Sequence, residues 1–306
     1  MQQIILSGYE QTPVLRDITT PEPKHGEVLV RIAAAALNPL DVKLQRGQVH
    51  AYFPLTFPSA MGTDLAGTIE KTGSLTSRWR AGDRIMARLD PTKGGAFADY
   101  AIVPEDQLAL LPEDLDFNSA AGLPTAAGTA WQALVEKADL RPGQTVLVHA
   151  GTGGVGSFAI QFARELRARV IATASGDGVA LARELGADQV IDYRSEDFTL
   201  NVFDIDVVLD TIGGETQQRS FGVLRSGGKL LSTVSPPDQA LATAHKAEGA
   251  FIFHTSNAKR LSDLVKAVGG RSRTALIDGV FPITSFAEAF DRQASGRAHG
   301  KIILSF

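Results

Sequence analysis

Residues 148–156 read VHAGTGGVG, which sets Gly151, Gly153 and Gly156 in the spacing G-x-G-x-x-G. Short glycine patterns arise by chance, so the flanks decide what this one is worth. Before it, "TVLVHA" is an apolar run of strand length. After it, Val155, Phe158, Ala159, Phe162, Ala163 and Leu166 recur at intervals of three and four, which marks one face of a helix. A strand that turns through glycines into a helix aims unpaired N–H groups and partial positive charge at an anion. On this reading Gly151 permits the sharp turn and Gly153 lets the backbone approach a pyrophosphate. Gly156 lets the helix pack close to the sheet, and Thr152, Gly154 and Val155 complete the loop. The competing reading is a glycine-rich turn that binds nothing.

The surroundings favour the ligand. "RVIATA", a helix through "VALARELGA", "QVIDY", "DVVLDTIGG" and "KLLSTV" alternate strand and helix, the pattern of a doubly wound parallel sheet in an α/β fold. Upstream, "EVLVRIAAAAL", "LAGTIEKTG", "DRIMARL" and "FADYAIVP" are short β-type runs broken by turns, and the tail "GKIILSF" reads as another strand. A β-rich domain over 1–122 and 271–306, interrupted by a nucleotide domain over 123–270, is therefore predicted. The chain of 306 residues has no cysteine, which excludes disulfides, thiolate metal ligands and a cysteine nucleophile. A net charge of −4 with mixed signs gives no footing for nucleic acid, and no apolar run approaches the ~18 residues that span a bilayer. A cytoplasmic protein with neither a nucleic-acid nor a membrane partner is expected.

Dinucleotide sites usually place a carboxylate at the end of the second strand to bind the ribose hydroxyls. Here that strand ends in Ala174-Ser175, and Asp177, past Gly176, reads as a helix cap. A neutral end leaves room for a 2′-phosphate, which Ser175, Tyr193 and Arg194 could contact, so NADP(H) is the expected cofactor. For Arg194 alone a solvated surface charge is the commoner case. Thr211, Ser232 and Val234 end further strands, where the ligand crevice of such sheets forms, and Asp210 reads as a structural cap.

Beyond the glycine loop, "ALNPLDVKLQRG" (36–47), "FPSAMGTDLAGTIE" (57–70), "AGDRI" (81–85), "GGAFADYAIVP" (94–104), "AAGLPTAAGTAW" (120–131), "GADQVIDYR" (186–194), "VVLDTIGGET" (207–216) and "GKIIL" (300–304) run through the whole chain in order. With these motifs the sequence resembles the medium-chain dehydrogenase/reductase superfamily, in its zinc-independent quinone oxidoreductase (zeta-crystallin-like) branch. The resemblance implies a GroES-like β domain, a Rossmann domain, and a cleft that holds nicotinamide and substrate. Relatives that bind catalytic zinc do so through two cysteines and a histidine; Asn38, Thr63 and Thr125 fall at those places here. The six histidines (25, 50, 149, 245, 254, 299) show no ligand spacing, so no metal is expected. A metal-free site suits acceptors that delocalise the incoming charge themselves, namely quinones and α,β-unsaturated carbonyls.

The resemblance also suggests roles. Asn38 could donate to the substrate carbonyl, or merely serve as a turn residue before Pro39. Asp41 and Lys43 could pair to organise their loop, or form a proton network. Tyr52 is placed over the substrate as a stacking ring or proton source, or is a half-buried loop aromatic. Thr125 and Thr129 would meet nicotinamide and ribose, or pack a helix. Phe253 would offer backbone groups to the carboxamide, and Lys301 would reach the cofactor. A homodimer through the Rossmann domain is expected, with "GGKLLSTV" at the sheet edge. The leading function is NADPH-dependent reduction of quinones or enones. An NADPH-binding crystallin-like or nucleic-acid-associated protein is the alternative, and a zinc-free alcohol dehydrogenase a distant third.

Overall fold

The computed structural model describes residues 1–74, 78–268 and 275–306. They form two compact units: residues 1–125 with 256–306, and residues 126–255. The first unit opens with β1 (Gln2–Leu6), β2 (Val14–Asp17), β3 (Glu27–Leu37), α1 (Pro39–Gln45) and β4 (Ser59–Ala60). β5 (Asp64–Thr72), β6 (Arg84–Arg88), β7 (Tyr100–Pro104), β8 (Leu108–Leu110) and α2 (Phe117–Ala121) follow. β3 contains four consecutive alanines, residues 33–36, which by propensity favour a helix. They form a strand because backbone flanks them on both sides, and small side chains let those neighbours approach.

The second unit comprises α3 (Ala126–Trp131), β9 (Thr145–Val148), α4 (Gly154–Glu165), β10 (Arg169–Ala174), α5 (Gly178–Leu185), β11 (Gln189–Asp192) and α6 (Phe198–Asn201). It continues through β12 (Ile205–Asp210), α7 (Gly214–Ser220), β13 (Leu224–Ser232), α8 (Gln239–Ala244) and β14 (Glu248–Phe251). Its parallel sheet has the order β11-β10-β9-β12-β13-β14. This is the doubly wound arrangement read from the strand–helix alternation. One expectation fails: the strand of "GGKLLSTV" is not at the edge but between β12 and β14. The edge is β14, whose Glu-Gly-Ala-Phe has no apolar alternation to announce it.

The chain then returns to the first unit with α9 (Ala258–Val268), β15 (Ile277–Pro282), α10 (Phe286–Ala294) and β16 (Lys301–Ser305). The sequence boundary thus differs: residues 256–268 side with the β-rich unit, while the predicted break at 270/271 lies outside the described residues. β16 inserts beside β3 in the order β15-β16-β3-β5-β6-β8, with β7 pairing β3. The antiparallel register pairs Ile302 with Leu37 and Leu304 with Ala35. Ile302, Ile303 and Leu304 are fully buried, so this strand belongs to the core. Phe97, Ile32, Leu65 and Ile85 share that core with Ile302 and Leu304. Among the described residues no helix is long and apolar enough to cross a membrane.

Candidate active site

In the second unit, β9 ends at Val148 and α4 begins at Gly154, with Gly153 at the N-cap. The residue that takes the left-handed turn is Ala150, at φ 49°, and not Gly151. Gly151 is small for a different reason. A Cβ there would stand 2.9 Å from Cβ of Ala172 and 3.0 Å from Cδ1 of Ile160. At Gly156 a Cβ would lie 2.2 Å from the Ala150 carbonyl oxygen, so only glycine lets α4 pack this close. Gly153 is open by comparison, its nearest obstacle 3.3 Å away, and Gly153, Gly154 and Val155 remain partly exposed while Thr152 is buried. A helix of twelve residues therefore presents its N-terminus through a loop without bulky side chains, which fits a dinucleotide pyrophosphate.

β10 and β11 carry the next residues. β10 ends at a buried Ala174, whose carbonyl accepts the amide of Tyr193 at 3.2 Å. Ser175 donates through Oγ to the Tyr193 hydroxyl at 2.9 Å, and a Cβ on Gly176 would sit 3.9 Å from an Arg194 guanidinium nitrogen. Ser175, Gly176, Tyr193 and Arg194 are thus gathered at one place, with Tyr193 and Arg194 exposed. Asp177 occupies the N-cap position of α5, as expected, though its side chain makes no capping hydrogen bond among the described residues.

The carboxyl ends of β9, β12 and β13 are tied together by buried polar groups. Asp210 accepts from the amides of Ile212 and Gly213 at 2.9 and 2.8 Å, from Gln217 Nε2 at 3.0 Å and from Ser232 Oγ at 2.8 Å. It is the structural cap that the sequence suggests. Ser232 Oγ in turn accepts from the amide of Val234, and Thr211 Oγ1 donates to the His149 carbonyl at 3.0 Å. His149 lies buried between Thr173 Oγ1 at 3.2 Å and Ser220 Oγ at 2.9 Å. Ser220 donates to the Thr216 carbonyl, so it receives the Nε2 proton and leaves Nδ1 as acceptor. Burial pushes this imidazole down to about 4, so it is a neutral structural group. Thr129 is buried in α3. The Phe253 carbonyl, expected to face the carboxamide, accepts Gln132 Nε2 at 3.1 Å with one of its two lone pairs.

In the first unit, sheet register assembles a buried polar row that the sequence does not announce. Asp64 on β5 is paired with Arg88 on β6 and with Ala36 on β3. The pairing of Leu37 with Ile302 sets Lys301 across from Asn38. Lys301, Asn38, Asp64 and Arg88 therefore line one end of four adjacent strands. Lys301 Nζ donates to the Leu37 carbonyl at 2.7 Å and to Asn38 Oδ1 at 2.6 Å. Among the described residues Asn38 Nδ2 has only Ala36 O and Thr63 Oγ1, each at 3.5 Å. Asp64 accepts from Thr63 Oγ1 at 3.2 Å, from the Thr125 amide at 3.0 Å and from Thr125 Oγ1 at 2.7 Å. Arg88 Nε donates to Thr125 Oγ1 at 2.9 Å and stands 4.0 Å from the Asp64 carboxylate.

Asp41, on α1, completes the cluster. Its Oδ2 accepts the Asn38 amide at 2.7 Å, while Oδ1 is buried without a hydrogen-bond partner among the described residues. Burial, above all, raises its carboxyl to about 7; the Asn38 amide pulls the other way and the Asp64 charge adds to the rise. Burial likewise lowers Lys301 and Arg88, against the pull of Asp64 and Asp41. The three places expected of zinc ligands, Asn38, Thr63 and Thr125, do converge around Asp64. They offer an amide and two hydroxyls, not thiolates or imidazole, and among the described residues no group of three metal-binding side chains forms.

Several assignments change. No ion pair joins Asp41 to Lys43 among the described residues; the cations around Asp41 are Lys301 and Arg88. Lys301, expected to reach the cofactor, is buried and bonded to the Leu37 carbonyl and Asn38 Oδ1 within its own unit. Tyr52 is 71% exposed, so it is not a half-buried ring. Thr125 serves Asp64 and Arg88 more than helix packing. Sequence reasoning missed Asp64 and Arg88, although a charge heading the apolar run "DLAG" and another closing "IMAR" were usable signals.

Comparison with known proteins bears on this geometry. Residues 24–113 match the alcohol dehydrogenase GroES-like domain, and residues 185–304 match the zinc-binding dehydrogenase domain. The chain is 35% identical over 318 residues to an NADPH-dependent alkenal/one oxidoreductase of Arabidopsis thaliana, covering 99% of this chain and 79% of the relative. It is 30% identical to a quinone-oxidoreductase homolog of Spinacia oleracea, covering 99% and 98%. The quinone oxidoreductase structure from Coxiella burnetii superposes with a TM-score of 0.89 at 30% identity, covering 100% and 99%.

Proposed function

The chain belongs to the medium-chain dehydrogenase/reductase superfamily, in its zinc-independent quinone oxidoreductase branch, and from that premise we propose that it reduces quinones or α,β-unsaturated carbonyl compounds with NADPH. The observation that carries the reading is the presence, in one chain, of a dinucleotide-type glycine loop and a buried, under-bonded amide donor. The dinucleotide, when bound, supplies a hydride. Gly151–Gly156 and the N-terminus of α4 would hold its phosphates. Ser175, Tyr193 and Arg194 would take the 2′-phosphate, because β10 itself ends in a neutral, buried Ala174.

Hydride added to the distal carbon of an enone places negative charge on the carbonyl oxygen. Asn38 Nδ2 would donate to that oxygen, and its contacts at 3.5 Å leave it free to do so. The donor set around Asp64, an amide and two hydroxyls, does not suit zinc. A cysteine-free chain is compatible with a reducing cytoplasm, and the exposed edge of β14 with a homodimer.

The test is NADPH oxidation against parallel panels of quinones and enones, with and without exhaustive chelation. Turnover that survives chelation is expected. Metal-dependent turnover, or cofactor binding with no turnover on either panel, would overturn the reading, the second in favour of a crystallin-like role.

A further inference from the structure

We propose that Lys301 is a positioning residue, which locks the Asn38 amide so that its NH2 group is the end presented to the substrate oxygen. This rests on the reading of Asn38 as carbonyl donor. An asparagine amide has an acceptor end and a donor end of nearly the same shape, and a half-turn exchanges them. A wrong end toward a developing enolate would set oxygen against oxygen. Something must choose.

Lys301 makes the choice because an ammonium group has three donors and no acceptor. The atom 2.6 Å from its Nζ must therefore be Oδ1, in a short charge-assisted hydrogen bond. Turning the amide would bring NH2 against NH3⁺ and lose that bond. The other end, Nδ2, is left with contacts at the outer limit of hydrogen bonding, so its donors are uncommitted. The backbone is held as well. The Asn38 amide donates to Asp41 Oδ2 at 2.7 Å, the Asp41 amide donates back to the Asn38 carbonyl at 3.0 Å, and Pro39 follows.

Sheet register makes the clamp stiff. Lys301 is the first residue of β16, which is hydrogen-bonded to β15 on one side and β3 on the other. Its second bond, to the Leu37 carbonyl, fixes the ammonium group independently of Asn38. The positive charge drawn up against Oδ1 also withdraws electron density from the amide, which strengthens its N–H groups as donors. Burial lowers the Lys301 ammonium, and the Asp64 and Asp41 carboxyls pull against that lowering.

A double-mutant cycle tests the proposal, with kcat, KM for enone and NADPH affinity measured for each protein. Lys301→Met and Asn38→Ala should each lower kcat about 10²-fold, the usual cost of an oxyanion donor, with NADPH affinity unchanged. The double variant should be no slower than Asn38→Ala alone, because Lys301 acts through Asn38. A merely structural lysine would slow both backgrounds equally, and multiplicative losses would overturn the proposal. Asn38→Asp keeps an oxygen for Lys301 and removes the donor; its melting temperature should hold while kcat falls as in Asn38→Ala. Full kcat in both Asn38 variants would sink the reading of Asn38 itself, whatever Lys301 does. If Lys301→Met does not fold, Lys301→Gln, which keeps an N–H for Oδ1, should lose kcat only where Asn38 is intact. A further loss when Lys301→Gln is added to Asn38→Ala would refute the clamp.

Discussion

Replacing Asp41 by asparagine and His149 by glutamine should tilt the pH dependence of folding in opposite directions. The folded-state carboxyl of Asp41 is raised from 3.8 to about 7, chiefly by burial. Between these values the folded protein keeps a proton that the unfolded chain has released, so this stabilisation is full below 3.8 and is lost as pH rises toward 7. His149 is the reverse, because burial lowers it from 6.5 to about 4. There the unfolded chain binds a proton that the folded protein refuses, so stability is full above 6.5 and is lost as pH falls toward 4. Integrating each group from about pH 5 to about pH 7 gives roughly 2 kcal/mol, with opposite signs. In the wild type the two nearly cancel. Asp41→Asn should leave stability rising by roughly 2 kcal/mol across that interval, and His149→Gln should leave it falling by a similar amount. Asparagine at 41 retains an acceptor for the Asn38 amide, so the variant tests the charge and not the fold. Urea midpoints at three pH values, followed by circular dichroism, would supply the slopes. Because Asp41 and His149 belong to different compact units, separately resolved transitions should move in opposite directions. A variant whose slope equals that of the wild type would refute the corresponding assignment.

Gly156→Ala would put a Cβ 2.2 Å from the Ala150 carbonyl oxygen, an obstacle that is backbone and cannot rotate away. It should cost more than the ~1–3 kcal/mol of ordinary overpacking and abolish NADPH binding, as read by thermal denaturation and fluorescence titration. Ser175→Asp sets a carboxylate beside Tyr193 and Arg194, and Arg194→Ala removes the cation. Each should weaken NADPH about tenfold, close to 1.4 kcal/mol, while sparing NADH; equal losses for both cofactors would place the 2′-phosphate elsewhere. Light scattering at micromolar concentration should report a dimer, and a monomer mass would remove β14 as its interface.

What could be read in the chain is what is written locally. The glycine loop, the helix after it and the strands β3 and β10 announce themselves by period, by flanking turns and by residues without side chains. The buried row could not be read, since it depends on register between strands far apart in sequence. Lys301 meets the Leu37 carbonyl across a separation of 264 residues. Nothing near residue 301 indicates that its partner will be an asparagine's oxygen and not a phosphate. The left-handed turn at Ala150 escaped because glycine is the usual occupant of such a conformation, and Gly151 stood next to it. β14 escaped because it is short and its Glu248 and Gly249 break the apolar pattern, yet it closes the sheet and moves β13 inward.

The position of β16 bears on how this protein is made. Residues 126–255, a complete unit, leave the ribosome before residues 301–305 have been joined to the chain. Until then β3 lacks its neighbour on one side, and Ala34, Ala35 and Ala36 have an open row of backbone groups facing solvent. Domains fold as units during synthesis, generally in order from the N-terminus. Here the first unit cannot be completed until β16 is translated, after the whole of the second unit. The nascent chain therefore carries a folded nucleotide-binding body and an open β-sheet at once, and an unpaired strand edge is the kind of surface that chaperones exist to shield.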